Sequence, residues 1–296
     1  MNAPRVLFVG RTTLDALYWL DRLPEEDTKI YARELRVMPG GPALNAAITH
    51  SLLGGKATLV SAVGGGRWAA AVRPDLERHE IELIDLAADT AHEMPLCTVL
   101  VNASNATRTI VNPPLSQVPL RNLGSAWNAA WGEMPRVALT DGFHLKETSA
   151  LLAGCREAGA ALCLDGGSWK AGTEELAGLL KVAICSERFA VPGQPSGPDA
   201  TLAWFAAKGV PHVAVTRGAQ SILGWDQGRR FEIEIPAVTV ADTLGAGDVL
   251  HGAFCYHFAR GPHFEAALRR ASAIATLSCQ SAGTQAWVTQ AVAGDS

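Results

Sequence analysis

In the run Asp242-Thr243-Leu244-Gly245-Ala246-Gly247-Asp248, two carboxylates bracket two glycines and an alanine. A strand-like segment ends before Asp242 and a helix-like one continues after Gly247, so the small residues fall in a first helical turn. Without bulky side chains there, an anion can reach the unpaired backbone N–H groups, a place the helix dipole already favours. Asp248 then stands beside that anion. A carboxylate so placed can take the proton of an attacking hydroxyl while the amides hold a transferring phosphoryl group. The same residues also satisfy a bland reading, an acidic helix start preceded by a glycine turn. The run is not a G-x-G-x-x-G fingerprint, and Gly54-Gly55-Lys56-Ala57 lacks the upstream Gly and the Ser or Thr of a Walker A loop.

Other chemistry-bearing residues form no comparable pattern. The eight histidines contain no H-E-x-x-H and no spacing that compels a zinc site. The eight tryptophans are scattered, which suits core and lid packing better than a stacking platform for nucleic acid. Cys97, Cys155, Cys163, Cys185, Cys255 and Cys279 lie far apart and mostly in apolar runs, so they read as reduced core residues. A net charge of −4 argues against a nucleic-acid or anionic-membrane footprint. No apolar stretch approaches the roughly 18 residues of a membrane span, and Val6–Val9 is too short for a signal peptide core. These features together predict a cytoplasmic protein.

The elements that must position the Asp248 run follow from the apolar pattern. With 296 residues, 48% of them hydrophobic, the chain can bury a sizeable core without staples. Near-continuous apolar runs at 5–9, 57–63, 136–140, 160–164, 182–186 and 212–216 predict strands covered on both faces. Helical patterns at 42–53, 67–79, 146–157, 173–180 and 198–208 alternate with them, which predicts a parallel α/β sheet. Two segment pairs break the rhythm: 14–20 with 30–37, and 94–102 with 107–112 across a turn at 103–106. They predict an antiparallel flap too small to stand alone, whose exposed strand edges predict a homodimer. The small, polar tail from residue 291 reads as frayed.

Asp242-Thr243-Leu244-Gly245-Ala246-Gly247-Asp248 resembles the C-terminal signature of the ribokinase-like, PfkB-type carbohydrate kinases. Gly40-Gly41-Pro42-Ala43-Leu44-Asn45-Ala46-Ala47, running to Leu53-Gly54, resembles their N-terminal signature, and Val215-Thr216-Arg217-Gly218 is similar to their nucleotide loop. The resemblance covers essentially the whole chain. Within the family, Leu23-Pro24-Glu25-Glu26-Asp27-Thr28-Lys29 and Thr107-Arg108-Thr109-Ile110 are similar to the ketohexokinase and sulfofructose kinase branches.

The resemblance implies a single domain over 1–296. Its fold would be a three-layer α/β sandwich with a mostly parallel sheet and a small antiparallel lid from segments about 12–39 and 92–113. It also implies ATP-dependent phosphorylation of a ketose, furanose or sugar derivative. In that scheme Asp248 is the base, Gly245, Ala246 and Gly247 supply the anion hole, and Arg108 reaches the phosphate as the lid closes. Asp15, Gly40, Gly41 and Asn45 would meet the sugar, with Pro42 standing where ketohexokinase-like chains carry a polar residue. Lys29 and Asn112 match positions that the sulfofructose kinase branch uses near an anionic group. That branch's strand-end arginine is Phe143 here, with His144 the neighbouring replacement, which counts against sulfonate or phosphate recognition.

Thr216, Gly218 and Ser186 fall on the nucleotide side, while the Asn-x-x-Glu motif is degraded to Ser186-Glu187-Arg188-Phe189. Mg²⁺ is implied as the counterion of ATP, with its side-chain ligands unassigned, and family members sometimes organise the Asp242 neighbourhood around a monovalent cation. His251, where many relatives have Asn, either tunes the site or packs. Two further readings stand beside the sugar kinase. One is a nucleoside kinase using Tyr18, Trp19 and Tyr31 against a base. The other is a catalytically weak binding protein, motivated by the degraded motif, Pro42 and the unusual Gly64-Gly65-Gly66-Arg67.

Overall fold

The computed structural model describes residues 3–104, 107–114, 116–281, 283, 285 and 287. Asn105 and Ala106 of the expected turn, and the tail from residue 291, lie outside them. The body is a nine-stranded sheet in the order β13-β12-β11-β10-β9-β8-β1-β4-β5. Its strands are β1 (Arg5–Val9), β4 (Lys56–Ser61), β5 (Glu82–Asp85), β8 (Val137–Thr140), β9 (Ala161–Gly166), β10 (Val182–Ser186), β11 (His212–Arg217), β12 (Gln220–Asp226) and β13 (Arg229–Ile233). Pairing is parallel from β5 to β11, and β12 and β13 extend the sheet as an antiparallel edge.

Both faces are covered, which explains the continuous apolar runs. Val6 and Phe8 of β1 enter one core and Leu7 and Val9 the other; Ile184 and Cys185 divide likewise in β10. The first core holds α1 (Pro42–Leu52), α2 (Ala69–Arg78), α6 (Ala246–Arg260) and α7 (Phe264–Ser278); the second holds α3 (Leu145–Glu157), α4 (Thr173–Ala177) and α5 (Pro198–Ala207). Helices on two faces of a mostly parallel sheet make the three expected layers.

The lid is a second, four-stranded sheet in the order β3-β2-β6-β7, from β2 (Thr13–Leu20), β3 (Glu34–Gly40), β6 (Leu96–Asn102) and β7 (Thr107–Val111). Its two outer pairs are antiparallel, and they join through a parallel seam between β2 and β6. The strand expected at 30–37 begins only at Glu34, because residues 21–31 form an exposed loop. Gly64-Gly65-Gly66 is explained by the approach to the lid. Gly65 and Gly66 donate their N–H groups to Thr90 and His92 carbonyls (2.9 and 3.1 Å), and a Cβ at Gly64 or Gly66 would strike His92. Asp85 pins the start of that turn by accepting from Val63 and Gly64. Among the described residues, no helix is long and apolar enough to cross a membrane.

Candidate active site

The chain runs outward from β1 to β4 and β5, then returns to β8 on the other flank and continues to β13. This reversal sets the switch point at the carboxyl ends of β1 and β8, the usual ligand position in open α/β sheets. Asp141, fully enclosed at the end of β8, ties the two flanks together by accepting the N–H groups of Arg11 (2.8 Å) and Phe143 (2.9 Å). Burial pushes its carboxyl up to about 7; those two hydrogen bonds and Lys170 oppose the shift, and Asp165 adds to it.

Asp15 projects from β2 beside Gly40, where any Cβ would overlap its carboxylate. Thr13 donates its hydroxyl to Asp15 Oδ1 at 2.6 Å. Burial raises the Asp15 pKa, against the pull of Thr13 and Arg11. Gly41 at the start of α1 has φ 100° and no room for a Cβ against the Arg11 carbonyl. Pro42 occupies the first turn of that helix, where its missing N–H costs nothing.

The amide of Asn45, one turn further along α1, donates to Asp248 Oδ2 at 2.7 Å, leaving its Oδ1 buried without a partner. Asn45 therefore aims the carboxylate and leaves one buried acceptor unmet. Gly245 caps α6 in the left-handed region at φ 67°, and the space where a Gly247 Cβ would sit is open to 4 Å. Burial lifts the Asp248 pKa to about 6, with Asp165 adding, while Asn45, His251 and Arg108 pull the other way. The Asp242 carboxylate accepts from Leu244 N (2.8 Å) and Gly283 N (3.0 Å), so it fastens the loop from below.

Arg108 arrives from β7 and donates to Thr243 O (3.1 Å) and Thr243 Oγ1 (2.9 Å). Leu244 packs against the lid cluster of Leu17, Val99 and Val101. The lid thus touches the 242–248 loop through a charged and an apolar contact. His251 is buried with Nδ1 2.7 Å from Gly247 O and Nε2 3.2 Å from Ile184 O, and it lies 3.4 Å from Asp165. It seams the start of α6 to β9 and β10.

Ser186 and Thr216, which the sequence assigns to the nucleotide, are register partners at the ends of β10 and β11. Thr216 donates to Cys185 O (3.3 Å), and Ser186 Oγ accepts from Arg188 N (3.2 Å). Gly218 makes the β11–β12 turn at φ 61° with nothing within 4 Å of its Cβ position. Lys29 and Asn112 are not brought together by a contact. Lys29 lies in the exposed loop and makes no hydrogen bond or ion pair among the described residues, whereas Asn112 Oδ1 accepts from Cys97 Sγ at 3.2 Å.

Asp141, Asp165, Arg11 and Lys170 received no role from the sequence. An available clue was the placing of both acids directly after or at the end of an apolar strand, Val137–Thr140 for Asp141 and the Leu162-Cys163-Leu164 run for Asp165.

Residues 3–291 match the description of a pfkB family carbohydrate kinase. The chain belongs to that family, whose members such as ribokinase and ketohexokinase are ATP-dependent phosphotransferases acting on sugar hydroxyls. Ribokinase of Mus musculus is 26% identical over 306 residues, covering 96% of this chain and 91% of the relative. Ketohexokinase of Mus musculus is 29% identical over a shorter stretch, 38% of this chain and 37% of that protein's length. The structure of Arabidopsis thaliana ribokinase complexed with ribose and ATP superimposes with a TM-score of 0.75 at 22% identity, covering 95% of this chain and 94% of the other. That likeness shows a ribokinase-type fold.

Proposed function

We propose that this protein transfers the γ-phosphoryl group of ATP to a hydroxyl of a sugar or sugar derivative, with Asp248 as general base. The observation that carries the reading is the pairing of an enclosed, Asn45-aimed carboxylate with an open helix N-terminus one residue away. The acceptor hydroxyl gives its proton to Asp248, its oxygen bonds to phosphorus, and ADP leaves with the electrons of the broken P–O bond. Amides at Gly245, Ala246 and Gly247 face the charge that develops on the phosphoryl oxygens. Asp15 and the free Oδ1 of Asn45 offer acceptors to sugar hydroxyls, and Gly40 and Gly41 let the backbone approach. Arg108 latches the lid, which keeps water from competing as acceptor.

ATP would lie over Ser186, Thr216 and Gly218, where small groups border open space. Among the described residues no cluster of three or more His, Cys, Asp or Glu is placed to hold a metal. Mg²⁺ would be carried in on the nucleotide phosphates, and Asp165, which faces His251 at 3.4 Å and acts on Asp248 through space, is the carboxylate that would help hold it. When bound, the ion neutralises phosphate charge. The aromatic residues available to a nucleoside base favour the sugar reading: Trp19 lies under Arg36 (4.9 Å) and Tyr31 is 87% exposed.

The edges of the lid sheet carry Leu35, Val37, Ile110 and Val111, each 47–56% exposed, which supports pairing of two copies through the lid. Sedimentation tests it: a dimer that V37K with V111K converts to monomer is expected, and a wild-type monomer ends the idea. The activity is tested by coupled ADP release from Mg-ATP over free, phosphorylated and sulfonated sugars and nucleosides. Acceptor-dependent release is expected, and silence across the panel with ATP bound overturns the reading.

A further inference from the structure

Arg11 stands at the end of β1, on the acceptor side of the crevice. Its guanidinium carbon lies 5.1 Å from the centre of the Phe143 ring, and Lys170 Nζ sits 4.7 Å from the same ring. The loop with Phe143 in place of a cation therefore has two cations resting on it, supplied by other loops. Among the described residues, neither is within ion-pair distance of a carboxylate. Arg11 Nε is buried with no hydrogen-bond partner, and its Nη2 donates to Cys97 Sγ over a long 4.0 Å. Lys170 Nζ donates to Ser168 Oγ (2.7 Å) and to the Ser168 carbonyl (3.0 Å).

A half-enclosed guanidinium with an unmet N–H is costly, and it is ordinarily met by a carboxylate or phosphate in a fork of hydrogen bonds. Asp15 acts on Arg11, and Asp141 and Asp165 act on Lys170, only through space and beyond ion-pair distance; Asp15 accepts from Thr13 and Asp141 from two backbone N–H groups. An aromatic face beneath the cation holds it in place without neutralising it. We propose that the acceptor carries an oxyanion group (carboxylate, phosphate or sulfonate) that Arg11 binds, with Lys170 at its flank. This rests on the kinase reading above and narrows its substrate class. Asp15 and Asn45 would hold the neutral hydroxyls of the same molecule.

The test is coupled ADP release with matched acceptors: a neutral ketose or furanose and its phosphorylated, sulfonated and carboxylated analogues, which separate the three oxyanion sources. At least one anionic analogue is expected to exceed its neutral parent in kcat/KM by roughly tenfold or more, the scale of a charge-assisted hydrogen bond. R11M is expected to cut that advantage roughly 10- to 100-fold, mainly through KM, while R11K keeps part of it and K170M removes less. If R11M fails to fold, the wild-type ratios and R11K decide. A neutral parent used as well as every anionic analogue, or an equal loss on both with R11M, overturns the proposal. Asp248-dependent turnover of neutral acceptors alone would leave the kinase reading standing; silence with all acceptors overturns both.

Discussion

Around Asp15 and Asp141, a methyl group at Gly10 would overlap Asp141, one at Gly40 would overlap Asp15, and one at Gly41 would meet the Arg11 carbonyl. At the β11–β12 turn and the start of α6, Gly218 and Gly247 have nothing within 4 Å of the same position. The first set lets the protein pack against two of its own buried acids and a backbone carbonyl; the second borders open space. The first region is accordingly dense with charged and polar side chains, Arg11, Asp15, Asn45 and Asp141, each fixed by a named neighbour. The second presents the short hydroxyls of Ser186 and Thr216 at the ends of β10 and β11. On the proposed reading, the acceptor is selected by side chains of the first region and the nucleotide takes the open space of the second.

The largest expected effect tests the group that both regions share. D248N should lower kcat by about 10³-fold or more, the upper range for a general base, while calorimetric ATP affinity stays within about threefold. Residual turnover within about tenfold of wild type would remove Asp248 from the reaction. The glycine contrast is tested by a crossed pair. G10A should destabilise the fold by about 2–4 kcal/mol through overpacking around Asp141, read as a drop in thermal midpoint. G247A should leave stability unchanged or raise it by up to about 1 kcal/mol, because alanine suits a helix better. Its turnover should nevertheless fall about 10- to 100-fold, since the methyl occupies the phosphoryl space. An equal stability loss in both variants would erase the distinction.

R108Q removes the charged latch to Thr243 and should cost about tenfold in kcat/KM, with a larger share of ATP lost to water. Product analysis against ADP release measures that share, and an unchanged ratio would reduce Arg108 to a surface contact. The smallest effect is the pH profile. Burial raises the Asp248 carboxyl to about 6, and the base works only when ionised. Activity should therefore be level above that pH and fall as pH drops through it. A limb near 4 would mean the carboxylate is wetter than its surroundings imply.

Much of the fold was legible in the sequence because a sheet covered on both faces leaves a strong trace. The runs at 5–9 and 182–186 match β1 and β10 to the residue, and helices 42–53 and 198–208 match α1 and α5 to within one residue. Helix 173–180 shrinks to Thr173–Ala177, and β12 and β13 were not anticipated because an antiparallel sheet edge is covered unevenly and its pattern is weak. β5 has only four residues, too few to show a period. The Asp248 loop was legible because its chemistry is local: carboxylate, glycines and helix start lie within seven residues.

The Asn45–Asp248 hydrogen bond joins residues 203 positions apart, the Arg11–Asp141 clamp spans 130, and the Arg108–Thr243 latch spans 135. Sequence by itself fixed the residue types, the helix N-terminus and the glycines, since propensity, dipole and steric freedom act over a single turn. Which acids are buried, which cations lack a partner and which glycines border open space were decided only when the strand order brought β1, β8, β9 and α6 to one edge. Burial and Coulomb interaction depend on distance in space, and chain order alone does not set it.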